Sequence, residues 1–288
     1  MILKEFAIDP SLLATWDRCR YITDMFDAQY GRVIAKYPAQ DWLSSAYTAA
    51  KSAGNSQMEL KKIEERLSQL RKKRTALFAR GRPANKATKW IESACIEHAR
   101  CPFNAVVCEP SGIPQTVCYD DLNPAMEPMQ SVEDSVPRQS VSMANSIEIM
   151  FASGQHYKLI DKYFSKRVSE SFLNPIREFL SRIDSREKGA HDVTFEIITA
   201  SEGNSFNDQI FESNVRKQME GHIPEEIKLV ITFHPEDQLH DRWIINEWVG
   251  VRFGQGFDEG SNPEHVNISV ITEQRRVKIW NGDYDSPS

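Results

Sequence analysis

The sequence predicts an α/β protein, with a helical N-terminal domain followed by an α/β domain built on a mixed sheet. Two observations carry the two halves. Residues 57–79 repeat apolar side chains at helical spacing, whereas from residue 146 onward short alternating apolar runs take turns with helical ones. A third sets the boundary, because residues 110–145 are rich in Pro, Ser and acids and show little periodicity, as a linker does. A chain of 288 residues suits two domains, each with its own core. The expected organisation is therefore a mainly helical domain over 1–109, a linker over 110–145 and an α/β domain over 146–288.

In the N-terminal part, Asp9-Pro10 reads as a helix cap and first turn, and residues 10–37 read as largely helical, with Trp16, Tyr21, Phe26 and Tyr30 as core aromatics. Leu60, Ile63, Leu67, Leu70 and Leu77 form a heptad seam, with Arg74 at the remaining position. Too short for a free coiled coil, the seam is expected to pack on a second helix over 84–99, joined through Gly81-Arg82-Pro83, whose Ala87, Ile91, Ala94, Cys95 and His98 share a face. That is an antiparallel helical hairpin. Arg71, Lys72, Lys73, Arg74, Arg80, Arg82, Lys86 and Lys89 gather at its tip, with no acid between Glu65 and Glu92. Such a cluster reads either as a solvated helix end or as a contact for DNA or RNA. Phe103 to Cys108 reads as a short strand.

In the C-terminal part, Ile147, Ile149 and Phe151 alternate as in one strand, and Tyr157 and Leu159 as in another. Asn174-Pro175 opens a helix through Ile176, Phe179, Leu180 and Ile183, and a second helix runs over 207–220 through Ile210, Phe211, Val215 and Met219. Strands are expected at 193–199, 227–233, 242–247, 250–254, 266–272 and 275–280.

Charge divides the chain. Residues 1–109 hold 18 Lys and Arg against 12 Asp and Glu, and residues 110–288 hold 17 against 29. A polyanion is thus expected to meet the N-terminal half first. No run is long and apolar enough to span a bilayer, and no signal segment opens the chain, so a cytoplasmic protein is expected. Five cysteines at irregular spacing suggest reduced thiols; a zinc site from Cys95, His98, Cys101 and Cys108 lacks a close Cys-x-x-Cys pair, and neither metal nor cofactor is expected.

The densest chemistry lies in Leu239-His240-Asp241-Arg242, followed by Glu247 and Gly254-Gln255-Gly256. On a strand, His240 and Arg242 would share a face, and an imidazole beside a fixed cation suits an anionic oxygen. Glycines downstream would let a turn approach closely.

This stretch resembles the signature of the phospholipase D superfamily, His-x-Lys, four residues, Asp, then six residues and Gly-Ser. Here Arg242 takes the Lys position, Glu247 the Asp position and Gly254-Gln255 the Gly-Ser position. It is also similar to the degraded phospholipase D-like domain at the C-terminus of MIT-domain proteins, through Leu239 to Arg242, Trp248 and Gly254-Gln255-Gly256-Phe257-Asp258. Asp161-Lys162-Tyr163-Phe164 is similar to a segment that ends an early strand in such domains. The resemblance covers roughly residues 145–285. It implies a phospholipase D-like fold, with His240 as nucleophile and Arg242 as phosphate ligand if the site is active, and a binding module of the kind found in prokaryotic conflict systems if it is not. A single motif supports phosphohistidine chemistry only where a homodimer brings two copies of His240 together. Three readings stay open. The first is an accessory subunit of a defence-type complex, binding a phosphate-bearing ligand through His240, Arg242, Gly254, Gln255 and Gly256 or contacting other subunits. The second is a metal-independent phosphodiesterase or nuclease using His240, Arg242 and Glu247. The third is a structural adaptor.

Overall fold

In the computed structural model the chain forms two compact units, Leu3–Gln130 and Ser131–Ser288 with Met1–Ile2. The structure describes residues 1–73, 75–83, 89–122, 132–166, 168–187, 189–201, 203, 205–261 and 264–284. Both units are α/β, as the sequence predicts for the chain as a whole.

The N-terminal unit runs β1 (Lys4–Ile8), α1 (Trp16–Met25), β2 (Arg32–Ala35), α2 (Trp42–Ser52), α3 (Gln57–Lys72), β3 (Leu77–Phe78), α4 (Trp90–Arg100), β4 (Ala105–Cys108) and β5 (Thr116–Cys118). Its helices cover a parallel sheet in the order β3-β2-β1-β4-β5, so this half is not merely helical. Its strands are short and hold only two to four consecutive apolar residues, too few for periodicity to distinguish them from buried helix. Asp9 caps a 3-10 turn, Pro10–Ala14, by accepting from the Ser11 amide. Ser56 and Glu59 close a capping box at the start of α3. The seam holds at Ile63, Leu67 and Leu70, which are buried. It then breaks, because Leu77 pairs with Ile34 in the sheet. The hairpin expected from the sequence is therefore a helix–strand–helix passage, and its second helix begins at Trp90; Ala87 lies outside the described residues.

Arg82 closes the core of this unit. Its guanidinium, 3% exposed, donates to Glu5 Oε2 at 2.6 Å, to Glu97 Oε1 at 2.9 Å and to the Cys101 carbonyl at 2.6 Å. It also lies 4.0 Å from the centre of the Phe103 ring. The sequence places Arg82 in the basic cluster, but here it serves as the counter-ion of two carboxylates that are equally buried.

The C-terminal unit is a mixed sheet in the order β6-β12-β11-β10-β7-β8-β9. Its strands are β6 (Glu133–Pro137), β7 (His156–Ile160), β8 (Val193–Ala200), β9 (Ile227–His234), β10 (Trp243–Ile245), β11 (Gly250–Phe253) and β12 (His265–Val270). β7, β8 and β9 are parallel and the remaining pairs antiparallel. Helices α5 (Ser140–Ser146), α6 (Glu148–Phe151), α7 (Glu170–Asp184), α8 (Ser205–Gln218) and α9 (Glu273–Trp280) complete it.

Three expectations change here. Ile147, Ile149 and Phe151 belong to or flank α6 rather than a strand; the helix has a single turn, and its one polar residue, Glu148, falls between Ile147 and Ile149 as a strand's alternation would place it. Residues 275–280 are helical, because Thr272 caps the Arg275 amide and buries Arg276 and Ile279 one turn apart. The expected linker contributes both an edge strand to each sheet, β5 and β6, and the helix α5. β6 is largely exposed and acidic, as suits an edge with no apolar face to declare itself.

Pro175 lies inside α7 rather than at its start. Lacking an N–H, it leaves the Ser171 carbonyl without its helical donor, and the Glu259 amide donates to that carbonyl at 2.8 Å. Glu259 is fixed in turn. Its Oε1 accepts from the Ser140 amide at 3.0 Å and its Oε2 from Asn174 at 2.9 Å.

Replacing Arg82 by Ala leaves the buried Glu5 without its close counter-ion and Glu97 with Arg100 alone. Urea denaturation of Arg82→Ala is expected to show a loss of about 3–5 kcal/mol in the N-terminal unit; a loss under about 1 kcal/mol rejects this account of its core.

Candidate binding site

The pocket is built from the end of β7. Ile160 pairs in parallel with Ile198 and antiparallel with Trp243, at the point where the sheet changes from parallel to antiparallel pairing. Asp161 follows at once, with its amide donating to the Ile198 carbonyl at 3.0 Å. In sheets of this kind, ligands gather beyond the carboxyl ends of parallel strands. The Asp161 side chain is 1% exposed. Its Oδ1 accepts from the Tyr163 amide at 2.9 Å, while Oδ2 is buried and has no hydrogen-bond partner. Burial pushes the carboxyl up to about 6, and Asp258 pushes it the same way, against the Tyr163 and Phe257 amides and Arg242, which pull it down.

Arg242 stands just before β10. Its Nε lies 4.0 Å from Asp161 Oδ1, beyond a close ion pair, and its Nη1 donates to the Gly254 carbonyl at 3.1 Å. The guanidinium also stacks 4.8 Å from the centre of the Tyr163 ring. Gly256 adopts φ +103°, and a Cβ there would come within 3.3 Å of Arg242 Cδ and 3.1 Å of Asp258 Oδ1. Only glycine takes that backbone comfortably at so close an approach.

Arg138, just past β6, reaches the same place from the far edge of the sheet. It donates to the Gln255 carbonyl at 3.1 Å and to Glu264 Oε2 at 3.3 Å, and it pairs with Asp258. Its Nε is buried and has no hydrogen-bond partner. Together Arg138, Asp161, Tyr163, Phe172, Arg242, Gln255 and Asp258 line an open pocket of about 380 Å³. Two of these residues also carry a buried polar atom with no hydrogen-bond partner, a donor on Arg138 and an acceptor on Asp161.

The sequence-derived site assembles only in part. Arg242 and Gln255 line the pocket, and Gly254 and Gly256 shape its wall through their backbone. His240 does not join them. It is exposed, sits in the segment before β10 and is absent from the lining. Strand alternation cannot align it with Arg242, because β10 begins only at Trp243. Glu247 lies past the opposite end of β10, where its Oε1 accepts from the Gln155 and His156 amides at 2.9 and 2.8 Å. It braces the start of β7, three strand residues away from Arg242.

Two contributors escaped the motif. Arg138 lay in the expected linker, where no periodicity marked it. Asp258 closed the glycine turn but carried no assigned role. Asp161 and Tyr163 had been singled out only as the end of a strand.

The basic cluster disperses. Arg71, Lys72 and Lys89 are exposed. Lys73 pairs with Asp27, Arg80 lies 4.0 Å from Glu5, and Arg82 is buried. Arg74 and Lys86 lie outside the described residues. Of the proposed zinc ligands, His98 accepts from the Phe103 amide through Nδ1 at 3.2 Å and stacks on that ring, as a packed histidine does. The cysteines are free thiols. No helix among the described residues is long and apolar enough to cross a membrane.

No family model matches the chain, and no curated protein matches it. Among solved structures, TrmBL2, an archaeal chromatin protein reported to show a novel mode of DNA binding, aligns with 11% identity and a TM-score of 0.26. The alignment covers 56% of this chain and 54% of that one, about half of each, and a likeness of that size carries no conclusion about fold or function.

The raised Asp161 carboxyl predicts a stability slope. Below about pH 4 the group is neutral both folded and unfolded. As pH rises through about 6, the unfolded carboxyl ionises first, and the folded protein loses stability it held at low pH, up to about 3 kcal/mol. Asp161→Asn is expected to lack that component between pH 4 and 7 when both proteins are unfolded with urea; superimposable pH profiles refute it.

Proposed function

We propose that the C-terminal unit is a binding module without turnover, which holds a phosphate-bearing ligand between Arg138 and Arg242. The observation that carries this reading is the convergence of two guanidiniums from opposite parts of the sheet on one open pocket, one of them with an unsatisfied buried N–H. Planar guanidiniums bind phosphate oxygens in pairs, and their hydrogen bonds to anions are among the stronger ones in proteins. Arg242 is held by the Gly254 carbonyl and the Tyr163 ring, so little ordering remains when a ligand arrives.

Phosphohistidine chemistry finds less support. A nucleophilic His must stand in line with the bound phosphorus. The histidine of the motif instead lies on the surface, outside the pocket lining, and Glu247 is engaged at the far end of β10. A homodimer nuclease would need a partner to rebuild both features. The resemblance to degraded phospholipase D-like domains gives the biological setting of this proposal, an accessory subunit of a prokaryotic defence-type complex. Among the described residues of the basic cluster, Arg71, Lys72 and Lys89 are the exposed cations offered to a nucleic acid, besides Lys73, which pairs with Asp27.

Calorimetric titration with inorganic phosphate tests the pocket. Arg242→Ala is expected to weaken binding about 10- to 100-fold, and His240→Ala to change it less than about twofold. Phosphate binding that survives Arg242→Ala, or EDTA-resistant phosphodiester cleavage that disappears in His240→Ala, overturns the proposal. A separate titration against single-stranded DNA and RNA at increasing salt examines the N-terminal unit. Neutralising Arg71, Lys72 and Lys89 together is expected to flatten the salt dependence; an unchanged slope removes that contact.

A further inference from the structure

Three of the five thiols meet on one side of the N-terminal sheet. Cys108 and Cys118 stand directly opposite each other where β4 and β5 pair in parallel, so their side chains leave the sheet on the same face. Val106, two residues before Cys108 and therefore on that face as well, belongs to the same buried cluster as Ala94 of α4. Cys95 is the next residue of α4, and its thiol is pushed up, first by burial and then by Cys108. The covering helix thus brings a third sulfur beside the pair. Among the described residues these sulfurs do not form a group close enough to hold a metal ion, which leaves the chemistry of one thiol with another.

Strand neighbours in register lie about 4.8 Å apart at Cα, within the span of a disulfide, about 4.4–6.8 Å. Their Cβ atoms must approach to about 3.5–4.5 Å, so β5 has to lean toward β4 by up to about 1 Å. As a three-residue strand at the edge of the sheet, held by β4 alone, it can do so. Access differs across the pair. Cys108 is buried, whereas Cys118 is partly exposed, so an oxidant in solution reaches Cys118 first. We propose that Cys108 and Cys118 form a reversible disulfide in the presence of hydrogen peroxide, with Cys118 as the thiol that reacts and Cys108 as the thiol that resolves it. In the first step the Cys118 thiolate attacks one peroxide oxygen and the O–O bond breaks. Hydroxide leaves and takes up the proton that Cys118 gave away, forming water; the sulfur is oxidised to a sulfenic acid and the peroxide is reduced. In the second step the Cys108 sulfur attacks the Cys118 sulfur. The S–S bond forms, the S–O bond breaks, and the oxygen departs with the Cys108 thiol proton as a second water. Cys95 stays reduced, because its raised thiol holds less thiolate than an ordinary cysteine. The bridge closes residues 108–118 into a ring and ties the edge strand to its neighbour, along with Tyr119 at its end, which meets the Tyr21 ring edge-on and carries the Arg18 guanidinium. It is independent of the C-terminal pocket.

The experiment treats the full chain with excess hydrogen peroxide at about pH 8, where thiolate is plentiful. Remaining thiols are then blocked with iodoacetamide in urea, and an unreduced tryptic digest is read by tandem mass spectrometry. Cys101, Cys108 and Cys118 fall in one peptide, residues 101–138, and Cys95 in another, residues 90–100. At least about half of the 101–138 peptide is expected to be blocked at Cys101 alone, to lack two hydrogens and to give no backbone fragments from between Cys108 and Cys118; dithiothreitol is expected to restore all three blockable thiols. In Cys108→Ala the Cys118 sulfenic acid is expected to persist and to be trapped by dimedone, and Cys118→Ser is expected to lower thiol loss at least about tenfold. Three blocked thiols in the oxidised wild type, a bridge to Cys95 or Cys101 instead, or Cys118 carried on to sulfinic acid beside a blockable Cys108 each overturns the proposal. Should Cys108→Ala not fold, the wild-type peptide map alone decides it.

Discussion

A carboxyl sealed at the end of β7 and a guanidinium stopped 4.0 Å short of it set the chemistry of the C-terminal unit. Had they closed into an ion pair, the pocket floor would be neutral and satisfied. They do not close because each is held by something else. Asp161 is bound by the Tyr163 amide, and Arg242 by the Gly254 carbonyl and the Tyr163 ring. Tyr163 thus serves both partners, its backbone fixing the acid and its ring seating the base. The result is a guanidinium beside a carboxyl that it does not fully neutralise, with one carboxyl oxygen held by an amide and the other without a partner.

Holding that arrangement open requires a rigid wall, and the segment after β11 provides it. Gly256 lets the turn pass close to Arg242. Asp258 and the Gln255 carbonyl are tied to Arg138, and Gln255 Oε1 accepts from the Asn267 amide at 2.8 Å. The Glu259 amide then fills the vacancy that Pro175 leaves in α7, and its carboxylate gathers Ser140 and Asn174. A proline that breaks one helical hydrogen bond therefore gives the loop its anchor. Support of this kind, one shell behind the ligand-facing groups, is what keeps a binding geometry from relaxing.

Much of this was legible in the chain. The strands at 193–199, 227–233 and 250–254 and the helix carrying Phe179 and Ile183 were readable because each has one wet and one dry face or a long apolar run. Arg242 and the glycine turn stood out by residue type and spacing. Other elements misled because too few residues carry the period. Ile147 and Ile149 are buried on either side of the partly exposed Glu148, an alternation that reads as strand, and Glu133 to Pro137 are largely exposed and read as linker. The rest of the N-terminal sheet hid because its strands are brief, while β4 lies within the strand expected at Phe103 to Cys108.

By itself, then, the sequence determined the class of fold and a guanidinium near a glycine turn, because these depend on local composition and on spacings within a few residues. Only the tertiary structure decided which charges are available. Arg82 and Arg138 look alike in the sequence; one is locked between two buried carboxylates, and the other pairs with two more exposed ones, Asp258 and Glu264, in the wall of a pocket. Likewise His240 and Arg242 are two residues apart, yet only the second faces the cavity. The availability of a charge is set by neighbours that arrive from distant segments and by the water they exclude, and no local pattern encodes either.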